Sequence, residues 1–176
     1  MAGEAKRDLR KRILRHASAS AATAPTTALD IPAVATVIVT SEAAAHPVDH
    51  IFDPQRGPGA SRWVAGEPGE QTLILDFDVP QALSRLRLEI EEGEVSRTQE
   101  LWVSLSQDGG RTYHEVVRQE YTFSPSGTTF EREEWQVAPR KVTHVCIRIK
   151  PDKGERPCRA TLTSLLVYTG EEPSAV

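Results

Sequence analysis

What most limits the possible folds of this chain is a two-residue hydrophobic rhythm that returns along most of its length. Between Gln71 and Val79, the residues Leu73, Leu75, Phe77 and Val79 share one parity and Asp76 and Asp78 take the other. Successive side chains of a strand point to opposite faces, so such a segment buries one face and wets the other. Leu83–Ile90 repeats the pattern, with Leu86, Leu88 and Ile90 inward and Arg85, Arg87 and Glu89 outward. In Glu100–Ser106, Leu101, Val103 and Leu105 face in, and Trp102 faces out beside Glu100 and Ser104. In Val142–Lys150, Val145, Ile147 and Ile149 alternate with His144, Cys146 and Arg148. Further strands are expected at Thr36–Thr40, Tyr113–Thr122, Thr128–Val137 and Ala160–Tyr168. Half-polar strands of this kind belong to antiparallel sheets. Their number and short spacing, with no second helix of any length, predict an all-β, antiparallel β-sandwich.

Only residues 4–16 carry helical spacing, with Leu9, Ile13 and Leu14 forming a narrow apolar stripe among charges. Residues 17–28 are rich in Ala, Ser and Thr and contain Pro25, which reads as a linker. The expected organisation is a basic helix or tail with its linker over 1–28, one sandwich over 29–171 and a short tail over 172–176. A chain of 176 residues fits one such domain.

Charge is unevenly placed. Residues 1–24 hold six Lys and Arg against Glu4 and Asp8, whereas the whole chain holds 21 Lys and Arg against 25 Asp and Glu. The body is therefore acidic, which argues against nucleic acid as a partner, since phosphate binding needs basic surface. No apolar run approaches the roughly 18 residues of a membrane span, so no membrane role is expected. The basic start is followed by small polar residues instead of an apolar stretch, so no secretory signal is expected. Two cysteines, Cys146 and Cys158, are too few for a disulfide-stapled domain. The expectation is reduced thiols in a cytoplasmic protein.

Ser106-Gln107-Asp108-Gly109-Gly110-Arg111-Thr112-Tyr113 matches an Asp-box turn. Asp108 can accept backbone N–H groups there, and the two glycines can supply positive φ. A single copy implies a hairpin tip. No nucleophile, zinc or phosphate-loop motif is present, so no enzyme is expected and a small hydrolase lacks support. His46-Pro47-Val48-Asp49-His50-Ile51-Phe52-Asp53 has two readings. It could offer two imidazoles and two carboxylates to a transition metal, or Pro47 could open a short helix with the histidines on its wet side. The acidic runs Glu89–Glu94 and Glu131–Glu134 could be paired carboxylates for glycoside hydrolysis, but a solvated edge explains them better.

The order of these pieces resembles the discoidin family, the coagulation factor 5/8 type C or galactose-binding-like jelly rolls, from about Val37 to Gly170. The resemblance rests on Ser41, Asp53, Ser61-Arg62-Trp63, Leu73–Asp78, Leu83–Leu88, Val103–Tyr113, Val145–Ile149 and Val167–Gly170. It implies a ligand-binding module without catalysis, most often for carbohydrate, with an intracellular protein-interaction module as the alternative. It also implies a calcium ion held by Asp53 and Ser61 and by an acidic residue of the last strand. Ser164 stands at that last position and Pro54 replaces the usual glycine after Asp53, so the ion is doubtful and no other cofactor is expected. The family's ligand loops lie at one end of the sandwich, which places the glycan or protein ligand around Asp49–Trp63. Candidate contacts are Arg56 and Arg62, which flank Gly57-Pro58-Gly59, together with His46 and His50. Trp63 is expected to be structural. Trp102 is a possible flat platform, unless the N-terminal segment covers it.

Overall fold

A computed structural model describes residues 28–137 and 141–170. Nine strands follow one another among them: β1 (Ala35–Val39), β2 (Trp63–Pro68), β3 (Gln71–Glu91), β4 (Arg97–Ser106), β5 (His114–Phe123), β6 (Phe130–Gln136), β7 (Lys141–Lys150), β8 (Arg159–Leu162) and β9 (Ser164–Thr169). The expected helix over 4–16 and most of the linker lie outside the described residues.

β3 organises the molecule because it belongs to two sheets. Its first part pairs with β1 and β7, and the sheet runs β1-β3-β7-β4-β5. Its second part pairs with β6 and β9. All these pairings are antiparallel, and the inner faces of both sheets join in one core. β2 and β8 form a separate two-stranded ribbon whose Trp63 and Leu162 also enter that core. The architecture is an antiparallel β-sandwich. Every residue expected inside from Leu73, Leu75 and Phe77 to Ile147 and Ile149 is buried, with Val79 the exception.

The crossover explains that exception. Two strands were expected, Gln71–Val79 and Leu83–Ile90, but the chain runs through as one. Its pairing with β7 shifts between Asp76 and Gln81, the point where it leaves the first sheet. Asp78, Val79 and Pro80 are exposed at the bend, and Val79 is 64% exposed instead of buried. Pro80 offers no N–H to a ladder, which suits a bend between sheets.

Other boundaries also moved. No alternating pattern marks a strand at Trp63, yet β2 starts there. Ala160–Tyr168 splits into β8 and β9 around Thr163, whose N–H donates to the Glu89 carbonyl at 2.8 Å. The largest correction is Glu89, expected outward in solvent. It is 1% exposed, because the loop before Trp63 folds over that face of β3 and Gly57 donates its N–H to the Glu89 carboxylate. Glu92 is buried as well, so the run Glu89–Glu94 is not the solvated edge that was expected.

The Asp-box turn closes β4 onto β5. Asp108 Oδ1 accepts N–H groups from Arg111 and Thr112 at 3.1 and 3.0 Å, and Oδ2 accepts the Thr112 hydroxyl at 2.6 Å. Gly109 and Gly110 have φ of 76° and 78°. Those hydrogen bonds, the Thr112 hydroxyl foremost, hold the Asp108 carboxyl well below the usual carboxylate range.

Candidate functional site

At the end of the sandwich away from that turn, the long connection between β1 and β2 faces the β3–β4 loop. Pro47 opens a 3₁₀ turn over Val48–Phe52, which Ile51, fully buried, anchors to the core. The Val48 N–H donates to the Glu42 carboxylate at 2.9 Å and so begins the turn. This is the short helix expected from Pro47. It places the His46 and His50 rings edge to face, with centroids 6.3 Å apart. His50 Nδ1 lies 3.0 Å from the Arg62 carbonyl oxygen, and the Val64 N–H donates to the His46 carbonyl at 3.1 Å. Among the described residues, no group of three His, Cys, Asp or Glu side chains is placed to hold a metal ion.

Beyond the 3₁₀ turn the chain passes Gly57 and Gly59, both at positive φ (90° and 80°), where a side chain would be strained. Their N–H groups point at β3. Gly57 donates to Glu89 Oε2 at 2.8 Å and Gly59 to Glu91 Oε2 at 2.9 Å. Two carboxylates two positions apart on β3 thus clamp two amides that are also two positions apart. The loop ends at Trp63, fully buried, whose Nε1 donates to the Ser41 carbonyl at 3.1 Å. Trp63 is structural, as the sequence suggested.

The opposite wall is held by a second buried carboxylate. Glu92 Oε1 accepts the N–H groups of Glu94 and Val95 at 2.8 and 3.0 Å, and Oε2 pairs with Arg97 at 2.7 Å. Arg97, whose side chain is 2% exposed, also donates to the Arg159 carbonyl at 2.6 Å and the Thr161 hydroxyl at 3.3 Å. These contacts turn the loop back over the β2–β8 ribbon.

Between the walls lies a cleft of about 550 Å³, lined by His46, His50, Ser61, Arg62, Glu91 and Glu94 with the backbone of Gly59 and Gly93. A second hollow of about 480 Å³ adjoins it, sharing His46, Arg62 and Glu94 and continuing to Val95, Pro157 and Arg159. Volumes in this range suit small-molecule recognition. Among the described residues, neither the Arg62 guanidinium nor the Glu94 carboxylate has a hydrogen-bond or ion-pair partner. The cleft therefore offers a free cationic fork, a free carboxylate and two imidazole faces, a mixed set of donors and acceptors suited to hydroxyl groups.

Four residues singled out from the sequence meet here: His46, His50, Ser61 and Arg62. Arg56 does not join them. It is exposed and donates to the Pro54 carbonyl at 3.2 Å, outside the lining. Trp102 lies on the outer face of the larger sheet, 7% exposed. Its direct cross-strand neighbours Arg118 and Arg148 bring their guanidinium carbons to 5.5 and 4.5 Å from its ring centre, so the strands beside it cover it. Sequence parity found its face but not its cover. Glu91 and Glu94 were seen only as members of an acidic run. Glu91 is placed by a contact with Gly59, 32 residues away, which no local pattern encodes, and Glu94 by the buried Glu92 carboxylate that accepts its N–H.

The calcium set implied by the resemblance does not fit. Asp53 is the single carboxylate in it, and its Oδ2 accepts the Ser61 hydroxyl at 2.6 Å. Ser164 brings a hydroxyl, buried and without a partner among the described residues, where a carboxylate was needed. Calcium takes six to eight oxygens, with carboxylates among them.

No protein-family model and no curated protein sequence matches the chain. Solved structures do. The chain is similar to chitosan-binding module 1 from a chitosanase/glucanase of Paenibacillus sp. IK-5, with TM-score 0.54 and 19% identity over 76% of this chain and 94% of that one. It is similar to a family 32 carbohydrate-binding module from C. perfringens NanJ in complex with galactose, with TM-score 0.57 and 16% identity over 81% and 98%. A pectin-binding carbohydrate-binding module gives TM-score 0.55 and 15% identity over 85% and 94%. At these identities the likeness shows a shared β-sandwich fold.

Proposed function

We propose that the protein is a non-catalytic carbohydrate-binding module of the discoidin type, and that its ligand lies in the cleft walled by His46, His50, Arg62, Glu91 and Glu94. The observation that carries this reading is the unpaired Arg62 guanidinium, held beside two imidazoles and a free carboxylate at a loop-built end of the sandwich. Sugar sites combine a flat surface with a few convergent polar groups, and here the imidazoles supply the flat surface. The likeness to modules described as binding chitosan, pectin or galactose supports the ligand class. Fold alone does not fix function, so the cleft residues bear the weight.

Glycan-array screening of the full chain identifies the ligand, and titration calorimetry measures it. Arg62→Ala is expected to weaken binding at least about tenfold, which is about 1.4 kcal/mol, with the unfolding temperature unchanged. Arg56→Ala, outside the cleft, is expected to leave affinity within about twofold. A neutral sugar held by hydrogen bonds gives an affinity that varies little with salt. A protein bound through Arg62 is instead weakened by salt, as charges farther apart than about 10 Å are screened. Unchanged binding in Arg62→Ala, or no glycan bound at all, overturns the assignment.

A further inference from the structure

Glu89 is the most enclosed carboxylate near the cleft. Its side chain is 1% exposed, and both oxygens are taken. Oε2 accepts the Gly57 N–H at 2.8 Å, while Oε1 receives Arg132 Nε at 2.7 Å and an Arg87 nitrogen at 3.3 Å. It stands on β3 directly across from Ser164 on β9, the position where the resemblance implies the acidic calcium ligand. The carboxylate missing from β9 is thus supplied one strand away. Its positive partner is a guanidinium from the edge strand β6, reaching over from the residue opposite Glu89 itself.

We propose that Arg132 takes the place that the resemblance gives to a calcium ion, so that the cleft's loop is set by an internal cation and not by a metal. Both Glu89 oxygens are partnered without an ion. A buried carboxylate needs a counter-charge and hydrogen bonds, and Arg132, Arg87 and Gly57 provide both. A β-carbon placed on Gly57 would lie 3.9 Å from an Arg132 terminal nitrogen, so the guanidinium sits against the loop's own backbone. Gly59 is clamped by Glu91 one pleat further on, which carries the fixed geometry to Ser61 and Arg62. Arg132 is a positioning residue acting through Glu89. Its side chain is 48% exposed, so solvent moderates its effect without removing it.

The test is thermal unfolding of the full chain with excess EDTA and with millimolar calcium chloride, alongside three variants. The wild-type unfolding temperature is expected to move by less than about 1 °C between the two conditions, since a ligand stabilises only what it binds. Arg132→Gln is expected to lower it by roughly 3–8 °C, because Glu89 stays buried with its charge. The double variant Glu89→Gln/Arg132→Gln is expected to regain at least about half of that loss, the signature of coupled partners. A merely structural arginine would not show this rescue. Three results overturn the proposal: a calcium-induced rise above roughly 3 °C that EDTA reverses, no loss in Arg132→Gln, or losses from Glu89→Gln and Arg132→Gln that simply add. The metal comparison needs only the wild-type protein, so it stands even if a variant does not fold.

Discussion

The two ends of β4 are built in opposite ways. At its Ser106 end the chain turns through an Asp box held mostly by hydrogen bonds that span two to four residues, from Ser106 to Asp108 and from Asp108 to Thr112. An outside tie comes from the Thr143 hydroxyl of β7, which accepts the Gly109 N–H and donates to the Ser106 carbonyl. At its Arg97 end, the same strand enters a network whose partners come from distant segments. Arg97 meets Thr161, 64 residues away, and Glu89 nearby meets Arg132 and Gly57, at 43 and 32 residues. The near turn draws most of its hydrogen bonds from its own residues. The far end exists only after both sheets have assembled, and it is the end that forms a cleft. A site made of long-range contacts ties binding geometry to global folding.

The sharpest way to break this contrast is to remove the ion pair at the far end. Arg97→Met leaves Glu92 buried without its partner, and is expected to cost about 3–5 kcal/mol in urea unfolding. A cost below about 1 kcal/mol, typical of an exposed pair, would mean that the far end is no more cooperative than a surface loop.

A smaller effect separates the loops by pH. Asp152, beside the far end, is held at about 2 by its hydrogen bonds and ion pair with Arg156. Its folded value lies below the usual carboxylate range, so its contribution is fully present above about pH 4 and is lost as the pH falls through 2. Asp152→Asn is therefore expected to be less stable than wild type at pH 6, with the gap closing between pH 4 and 2. Guanidinium unfolding at a series of pH values reads this directly. A gap that persists unchanged at the lowest pH would show that the side chain acts by shape and not by charge.

The smallest effect is expected at the near turn. Asp108→Ala removes acceptors for the Arg111 and Thr112 amides, so hydrogen exchange should speed up there while the cleft loops keep their protection. Faster exchange at Gly57 or Gly59 as well would join the two ends into one unit and dissolve the distinction.

Much of the fold was legible because period two is a direct imprint of a half-buried strand. Leu101, Val103 and Leu105 are inside for the same reason that their spacing announced it. The reading failed where a strand leaves one sheet for another. Val79 kept the right parity but lost its sheet at the bend, and Glu89 kept an outward direction that a loop then covered. The candidate site was legible in part. His46, His50, Ser61 and Arg62 sit in a turn-rich stretch that had to be a loop, and they meet in the cleft. Arg56, only six residues from Arg62, turns to its own Pro54 carbonyl and stays outside. Nothing in the spacing separates those two arginines.

The sequence by itself determined the elements that depend on near neighbours: alternating strands, the Pro47 turn and the Asp-box hairpin. Each is decided by backbone sterics and by which face turns apolar, and both are properties of consecutive residues. Only the tertiary structure decided which charges are buried, and therefore which groups the cleft leaves free. Glu89 and Glu92 go inside because Arg132 and Arg97 reach them across strands, while Glu94 and Arg62 remain unpaired at the rim. The physical reason is that a charge's burial cost is set by partners in space, and the chain brings those partners together only when the two sheets close on one another.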